Sequence, residues 1–386
     1  MKLIHLGDLH LGKKLEEFDL IDDQRYILNR ILDVIDREQV DGVLIAGDVY
    51  DTKMPSEAAM NLLDWFLSSL SERNVATFMI SGNHDSDDRL NYGSWTFEKQ
   101  GIYISSIYEG KIPHHTFKAD GVEADIYMMP FIKMSHVRHY YPDEDIRSYS
   151  DAVRVAIDKT DIDESRCNII IAHQFVAGKD SDPVMGGSES MGTLRVGDVE
   201  KVGYDCFDKF DYVALGHIHS PQHVGRELCR YAGSPLKYSY REVSDKKFFP
   251  LITIGGKGDI RYDLIDLEPK REVRPERGKL KEILDKARIH DTDDYIYAIL
   301  TDEDPIVNAI GILRQVYPNT IKLTYDNSRI RDVEHVDISD IAQGKTFTEL
   351  IEGFYKLMYG EDEVPAKEME ILRQAAREAG VIDEAD

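Results

Sequence analysis

Five short apolar runs in this 386-residue chain end on side chains that bind metals or move protons. Leu3-Ile4-His5-Leu6 leads into Gly7-Asp8-Leu9-His10, and Val43-Leu44-Ile45-Ala46 into Gly47-Asp48. Phe78-Met79-Ile80 leads into Gly82-Asn83-His84-Asp85, Ile169-Ile170-Ile171-Ala172 into His173, and Val213-Ala214-Leu215 into Gly216-His217-Ile218-His219. A single Asp or Asn at the end of a strand is ordinarily a turn residue. Seven polar residues on five such runs point instead to one shared site. Asp8, His10, Asp48, Asn83, His173, His217 and His219 offer more oxygen and imidazole donors than one zinc ion needs, and they suit two divalent cations. Asp48 is the natural bridging carboxylate. Without a thiolate, the set favours manganese, iron or zinc over a pure magnesium site. Two ions sharing Asp48 could clamp a phosphodiester, activate a water and stabilise the leaving oxygen.

His84 follows a candidate ligand, and on an extended backbone it would face the opposite way. That directs it to the phosphate or the leaving group, where an imidazole can donate a proton near neutral pH. Asp85 is the candidate for holding the His84 ring in the right tautomer. Asp51 is either structural or a support for His84 or its neighbour, and Arg89 makes either a surface salt bridge or a substrate phosphate contact. His5, His136, His139, His223 and His290 carry no supporting pattern, and His114-His115 is a weak, solvated pair.

The elements that must position these residues follow from periodicity. Asp8 and His10 are expected to approach one ion from an extended strand. Ile27, Leu28, Ile31, Leu32 and Ile35 repeat at helical spacing, as do Leu62, Leu63, Phe66, Leu67 and Leu70 after Pro55. Strands separated by such long crossovers pair in parallel under a cover of helices, and the site then lies at their carboxyl ends. Residues 143–165 read as a further amphipathic helix, residues 178–187 as a loop suited to moving over a substrate, and strands are expected at 228–231, 248–254 and 260–267. The run 268–278 is charged, holds two prolines and buries little, so a domain boundary is expected there.

Beyond it, Leu280, Ile283 and Leu284 read as helix, Tyr295–Leu300 as strand, Ile306–Val316 as helix and Thr320–Tyr325 as strand, a small α+β module. Phe347, Leu350, Ile351, Phe354, Leu357 and Met358 form one helical stripe. After an acidic break, Met369, Leu372, Ala375, Ala376 and Ala379 form another. Such stripes must pack on the chain's own core or on a partner protein.

Composition narrows the classes. The apolar fraction of 42% suffices for a full core, while 31% charged residues and the lack of an 18-residue apolar stretch exclude a helix that spans a membrane. Met1-Lys2-Leu3-Ile4-His5 reads as the start of a strand, not as a secretion signal. Cys167, Cys206 and Cys229 show neither metal nor disulfide spacing, so a cytoplasmic protein is expected. A formal charge of −25 argues against holding nucleic acid by the overall field, although bound cations or a basic partner would offset it locally. It favours the competing reading of a phosphoesterase acting on a small phosphodiester, such as a cyclic nucleotide, or on a phosphoprotein.

In kind and order, Asp8-Leu9-His10, Gly47-Asp48-Val49-Tyr50-Asp51, Gly82-Asn83-His84-Asp85, His173 and Gly216-His217-Ile218-His219 resemble the five signature motifs of the calcineurin-like metallophosphoesterases. Leu11-Gly12, Asn83-His84-Asp85-Ser86 running into Arg89-Leu90, and Ala232-Gly233-Ser234-Pro235 are similar to the SbcD branch of the Mre-type DNA repair nucleases. The resemblance implies a layered α/β phosphoesterase domain over residues 1–270, a small α+β capping domain over 271–340, and C-terminal helices over 345–380 that bind an SbcC-like SMC-type ATPase. It implies Asp8, His10, Asp48 and His219 on one manganese ion, Asp48, Asn83, His173 and His217 on the other, and His84 at the transition state and leaving group. It further implies 3'-to-5' exonuclease action on duplex ends, endonuclease action on single strands and hairpins, a role in repair, recombination and replication, and association with the nucleoid. A homodimer within a heterotetramer is expected, formed through helices flanking the site, to which Met60, Leu63, Phe66 and Leu67 could contribute. Some nucleases of the wider group carry a histidine where Asp51 stands, so the exonuclease role of that position does not transfer directly.

Overall fold

The computed structural model describes residues 1–179, 181–187, 201–287, 292–327, 351–352 and 364–378. From the N-terminus, β1 (Lys2–Leu6) passes through the small strands β2 (Lys14–Leu15) and β3 (Phe18–Asp19) into helix α1 (Ile21–Glu38). Strand β4 (Gly42–Ala46), helix α2 (Glu57–Glu72), strand β5 (Ala76–Ile80), short helices α3 (Asp87–Asn91) and α4 (Ser94–Glu98), and strand β6 (Ile102–Ser105) follow. The apolar stripe of α1 is buried, and a left-handed residue, Gln39, ends that helix. At the start of α2, the Ser56 side chain accepts a hydrogen bond from the Ala59 N–H at 3.2 Å.

The next segment runs β7 (His114–Ala119), β8 (Val122–Met129), α5 (Met134–Tyr140), α6 (Tyr149–Asp158), β9 (Asn168–His173), β10 (Val176–Ala177), β11 (Val202–Gly203), β12 (Tyr212–Gly216), β13 (Gln222–Val224) and β14 (Arg226–Tyr231). Strands β15 (Phe248–Gly256) and β16 (Asp259–Asp266) complete this unit.

These strands form two six-stranded sheets, in the orders β16-β15-β1-β4-β5-β6 and β13-β14-β12-β9-β8-β7. The strands carrying the polar ends, β1, β4 and β5 in one sheet and β9 and β12 in the other, pair in parallel within their sheet, as their crossovers require. The sequence showed the parallel pairing but not the division into two sheets. Strand β9 shows why both exist. Ile169 and Ile171 pack between the sheets with Leu44, Phe78, Met128 and Ala214, while Ile170 and Ala172 join Val153, Ala156 and Ile157 of α6. A strand covered on both faces reads as an unbroken apolar run.

The chain divides into two compact units, Met1–Val273 and Arg274–Asp386. In the second, β17 (Val273–Gly278), β18 (Tyr295–Leu300) and β19 (Thr320–Tyr325) form a three-stranded sheet, and α7 (Leu280–Lys286) and α8 (Ala309–Arg314) share its core through Ile283 and Leu313. Residues 273–278 are therefore strand. Pro275 is tolerated because β17 is an edge strand, where a missing N–H need not break the ladder. Of the C-terminal stripes, Phe347, Leu350, Phe354, Leu357, Met358 and Ala379 lie outside the described residues. The other stripe lies on α9 (Ala366–Glu378), with Met369 half-buried, Ala376 buried, and Ile371 and Leu372 exposed. Among the described residues no helix is long and apolar enough to cross a membrane.

Candidate metal centre

The polar strand ends are not extended. Asp8, His10, Asp48 and His217 have φ of 51°, 42°, 48° and 100°, on the positive side where non-glycine residues are uncommon. The expectation that Asp8 and His10 reach a common ion from a regular strand is therefore wrong in its geometry: the backbone turns sharply at each residue and swings both side chains inward.

Such conformations cost of order 1–3 kcal/mol each and persist only where neighbours fix them. Here the His10 N–H donates to the Asp48 carbonyl at 2.9 Å, and the Leu11 N–H to the Val49 carbonyl at 2.9 Å. Gln24 of α1 grips the same loop, donating to the His10 carbonyl at 2.8 Å and accepting from the Gly12 N–H at 2.9 Å. Tyr238 donates its hydroxyl to the Leu9 carbonyl.

Two glycines let the strand ends close on one another. A Cβ on Gly82 would lie 2.1 Å from Asp48 Oδ1, and one on Gly216 would lie 1.9 Å from the Ala46 carbonyl oxygen. Only glycine allows backbone this close to a ligand or to the facing sheet.

The seven candidate ligands converge as two facing groups. His10 Nε2 lies 3.1 Å from His219 Nε2, and Asp8 joins these two as a set of donor atoms that could share one ion. On the other side, Asn83 Oδ1 lies 3.1 Å from His173 Nε2 and 3.0 Å from His217 Nδ1. Asp48 Oδ2 sits between the groups, 3.5 Å from His10 Nε2 and 3.3 Å from His173 Nε2. Asp8, His10, Asp48, His173 and His219 are buried, whereas Asn83, His84 and His217 are partly exposed and form the rim through which a substrate would enter.

This donor set fits two divalent cations. Two buried carboxylates need positive charge. Among the described residues neither Asp8 nor Asp48 makes an ion pair with a lysine or arginine; Asp48 faces the imidazoles of His10 and His173, and the two Asp8 oxygens share the His217 backbone N–H at 2.8 and 3.1 Å. Burial pushes Asp8 up to about 6. Burial also opposes the charge on Asp48, but His173, His10 and His84 outweigh it and hold that carboxyl well below the usual range. Burial pulls His173 down, and Asp48 reverses this to leave it at about 9, while burial lowers His10 to about 4 and His217 to about 3. Nδ1 of His173 faces the Ala46 carbonyl at 2.7 Å, which keeps Nε2 directed at Asn83 and Asp48.

Residues 83–85 form a bend, yet Asn83 and His84 do diverge. Asn83 joins the His173 group, and His84 lies with His10 and Asp48. The expected support of His84 by Asp85 is corrected. The Asp85 carboxylate accepts the backbone N–H groups of Val49, Tyr50 and Gly82 at 3.1, 2.9 and 2.9 Å, so it ties the Asp48 loop to the Asn83 loop. The Asp51 carbonyl, 2.8 Å from Nδ1, orients the His84 ring. The Asp51 carboxylate lies 3.3 Å from His10 Nδ1 and 2.7 Å from Lys13 Nζ, so Asp51 supports both His10 and His84.

Arg89 is exposed on α3 and makes no ion pair among the described residues. It lines a cleft of about 440 Å³ with Tyr50, Met60 and Tyr92, and no candidate ligand lines that cleft. Leu63, Phe66 and Leu67 are buried in this chain's own core, so of the four residues considered for a dimer contact only Met60 is exposed. Sequence reading missed Lys13, Gln24 and Tyr238, which lie outside the polar strand ends and belong to no recognisable spacing.

Residues 1–221 match the calcineurin-like phosphoesterase family, and residues 269–359 match the family described as type 5 capsule protein repressor C-terminal domain. The chain is 33% identical over 365 residues to the SbcD subunit of the nuclease SbcCD of Staphylococcus epidermidis, covering 93% of each chain. A dimetal phosphatase from Danio rerio aligns with 69% of this chain and 99% of its own at 11% identity, with a TM-score of 0.35.

Proposed function

Because the chain belongs to the calcineurin-like phosphoesterases and, within them, to the SbcD nuclease subunits, we propose that it cuts DNA as the nuclease subunit of an SbcCD-type complex. The observation that carries this reading is the convergence of seven ligand-type side chains from both sheets, in a chain that aligns with such a subunit over almost its full length. Asp8, His10, Asp48 and His219 would hold one divalent ion, and Asp48, Asn83, His173 and His217 the other. The mixed nitrogen and oxygen donors favour manganese. When bound, the ions supply electrophilic activation of the phosphodiester and of the attacking water, and charge neutralisation at the leaving oxygen.

The chain's own residues do the rest. Asp48 fixes the spacing of the two positions, and its Oδ1 accepts the His84 N–H at 2.9 Å, which anchors the loop bearing the proton donor. A carbonyl can only accept, so Nδ1 of His84 keeps its proton against the Asp51 oxygen, and it is the second proton of the imidazolium, on Nε2, that would pass to the leaving group.

Exonuclease action from 3' to 5', endonuclease action on hairpins, and pairing of two nuclease chains in a heterotetramer are part of the same proposal, as are the division at about 270 and 340 and placement in the cytoplasm at the nucleoid. The exposed Ile371 and Leu372 of α9 are suited to docking an SMC-type ATPase. Asp48→Ala tests the core of the reading: it should remove both manganese binding and cleavage of linear duplex while the circular dichroism spectrum stays native, and undiminished cleavage would contradict it.

A further inference from the structure

One buried ion pair beside the centre has no part in the reaction described above. Glu242, on a short 3-10 turn (Tyr240–Glu242), is fully buried, and Lys247 is nearly so. Lys247 Nζ donates to Glu242 Oε2 at 2.7 Å, to Ser234 Oγ at 2.9 Å and to the His219 carbonyl at 2.9 Å, which uses all three ammonium protons. The other carboxylate oxygen, Glu242 Oε1, lies 3.9 Å from His219 Nδ1, and the opposite ring nitrogen of His219 faces His10. The Ser234 N–H also donates to the His219 carbonyl, at 3.1 Å. His219 is thus gripped at its backbone by Lys247 and Ser234 and faced at its ring by Glu242.

A buried ion pair is weak evidence for stability, since a well-packed apolar pair often serves as well. At 3.9 Å the carboxylate is beyond hydrogen-bond reach, but its charge favours the ring proton on the facing Nδ1 and so leaves Nε2 as the donor atom for an ion. We propose that Glu242, held in place by Lys247, is the positioning residue for His219 and so sets the affinity of one metal position, the one served by Asp8, His10, Asp48 and His219. This rests on the two-ion reading of the site.

The test is titration of the metal-free, full-length chain with Mn2+ by calorimetry, with electron paramagnetic resonance to separate paired from isolated manganese. Wild type should bind two ions and give the paired signal; fewer than two would overturn the two-ion reading itself. The double variant Glu242→Gln/Lys247→Met removes the carboxylate without stranding a buried charge. It should bind one ion as wild type does and the other about 10–100-fold more weakly, with isolated manganese appearing at intermediate loading. With wild type intact, two unchanged affinities, or two equally weakened ones, would overturn the role of Glu242. If the double variant does not fold, Glu242→Asp keeps the pair but retracts the carboxylate from the ring. It should weaken the same single site to a smaller degree, and an unchanged isotherm would count against the proposal.

Discussion

At the scale of single residues, the proposed function separates groups that would hold the ions from His84, the group it assigns to proton transfer. His84 is partly exposed, anchored through its N–H on Asp48 and through Nδ1 on the Asp51 carbonyl. His84→Ala should lower kcat by about 10²–10⁴-fold, the usual contribution of a general acid, and leave manganese stoichiometry at the wild-type value. Lost metal binding would make His84 a ligand instead. Asp85 should behave differently. In Asp85→Asn an amide NH2 replaces one of two oxygens that between them accept three backbone N–H groups, so at least one buried donor loses its partner, at about 1–3 kcal/mol. Denaturant melts should show that loss, whereas the pH dependence of the remaining activity should not move, because the His84 ring does not depend on Asp85. A shifted pH profile would restore Asp85 as the orienting group.

At the scale of elements, the architecture brings the ends of five strands from two sheets to one point, and the glycines before the ligands make that closure possible. Gly216→Ala would place a methyl 1.9 Å from the Ala46 carbonyl, which belongs to the facing sheet and cannot move like a flexible side chain. The variant should lose tight manganese binding, read by calorimetry, before it loses its circular dichroism spectrum. Full retention of both ions would show that the sheets can part at no cost. These glycines also mark how far the sequence could be read. Apolar runs that stop on Asp, Asn or His, four of them after a glycine, marked the candidate ligands and the parallel strands. The left-handed backbone at Asp8, His10, Asp48 and His217 was hidden, because a dihedral angle leaves no trace in residue type when tertiary hydrogen bonds impose it. The same holds for Gln24, Tyr238 and Glu242, which act through contacts distant in the chain. In the run 268–278, proline and charge hid the strand at 273–278 for a different reason: they mark a domain boundary and an edge strand alike.

At the scale of the whole molecule, the formal charge of −25 and the candidate substrate pull in opposite directions. A chain this acidic gains little from the counterion release that drives most DNA binding. In the proposed reading, two divalent ions would supply positive charge only at the cleavage point, and a partner would supply the rest of the hold on DNA. The exposed apolar residues of α9 suit that division, with chemistry in the first unit and recruitment at the far end of the chain. The most direct measurement is therefore to give the same manganese-loaded, full-length chain an end-labelled hairpin or linear duplex and, in parallel, a cyclic nucleotide. The expected result is manganese-dependent cleavage of the DNA, abolished in Asp48→Ala, with turnover of the cyclic nucleotide far below it. Intact DNA at high enzyme concentration, with or without the ATPase, alongside brisk hydrolysis of the cyclic nucleotide, would contradict it.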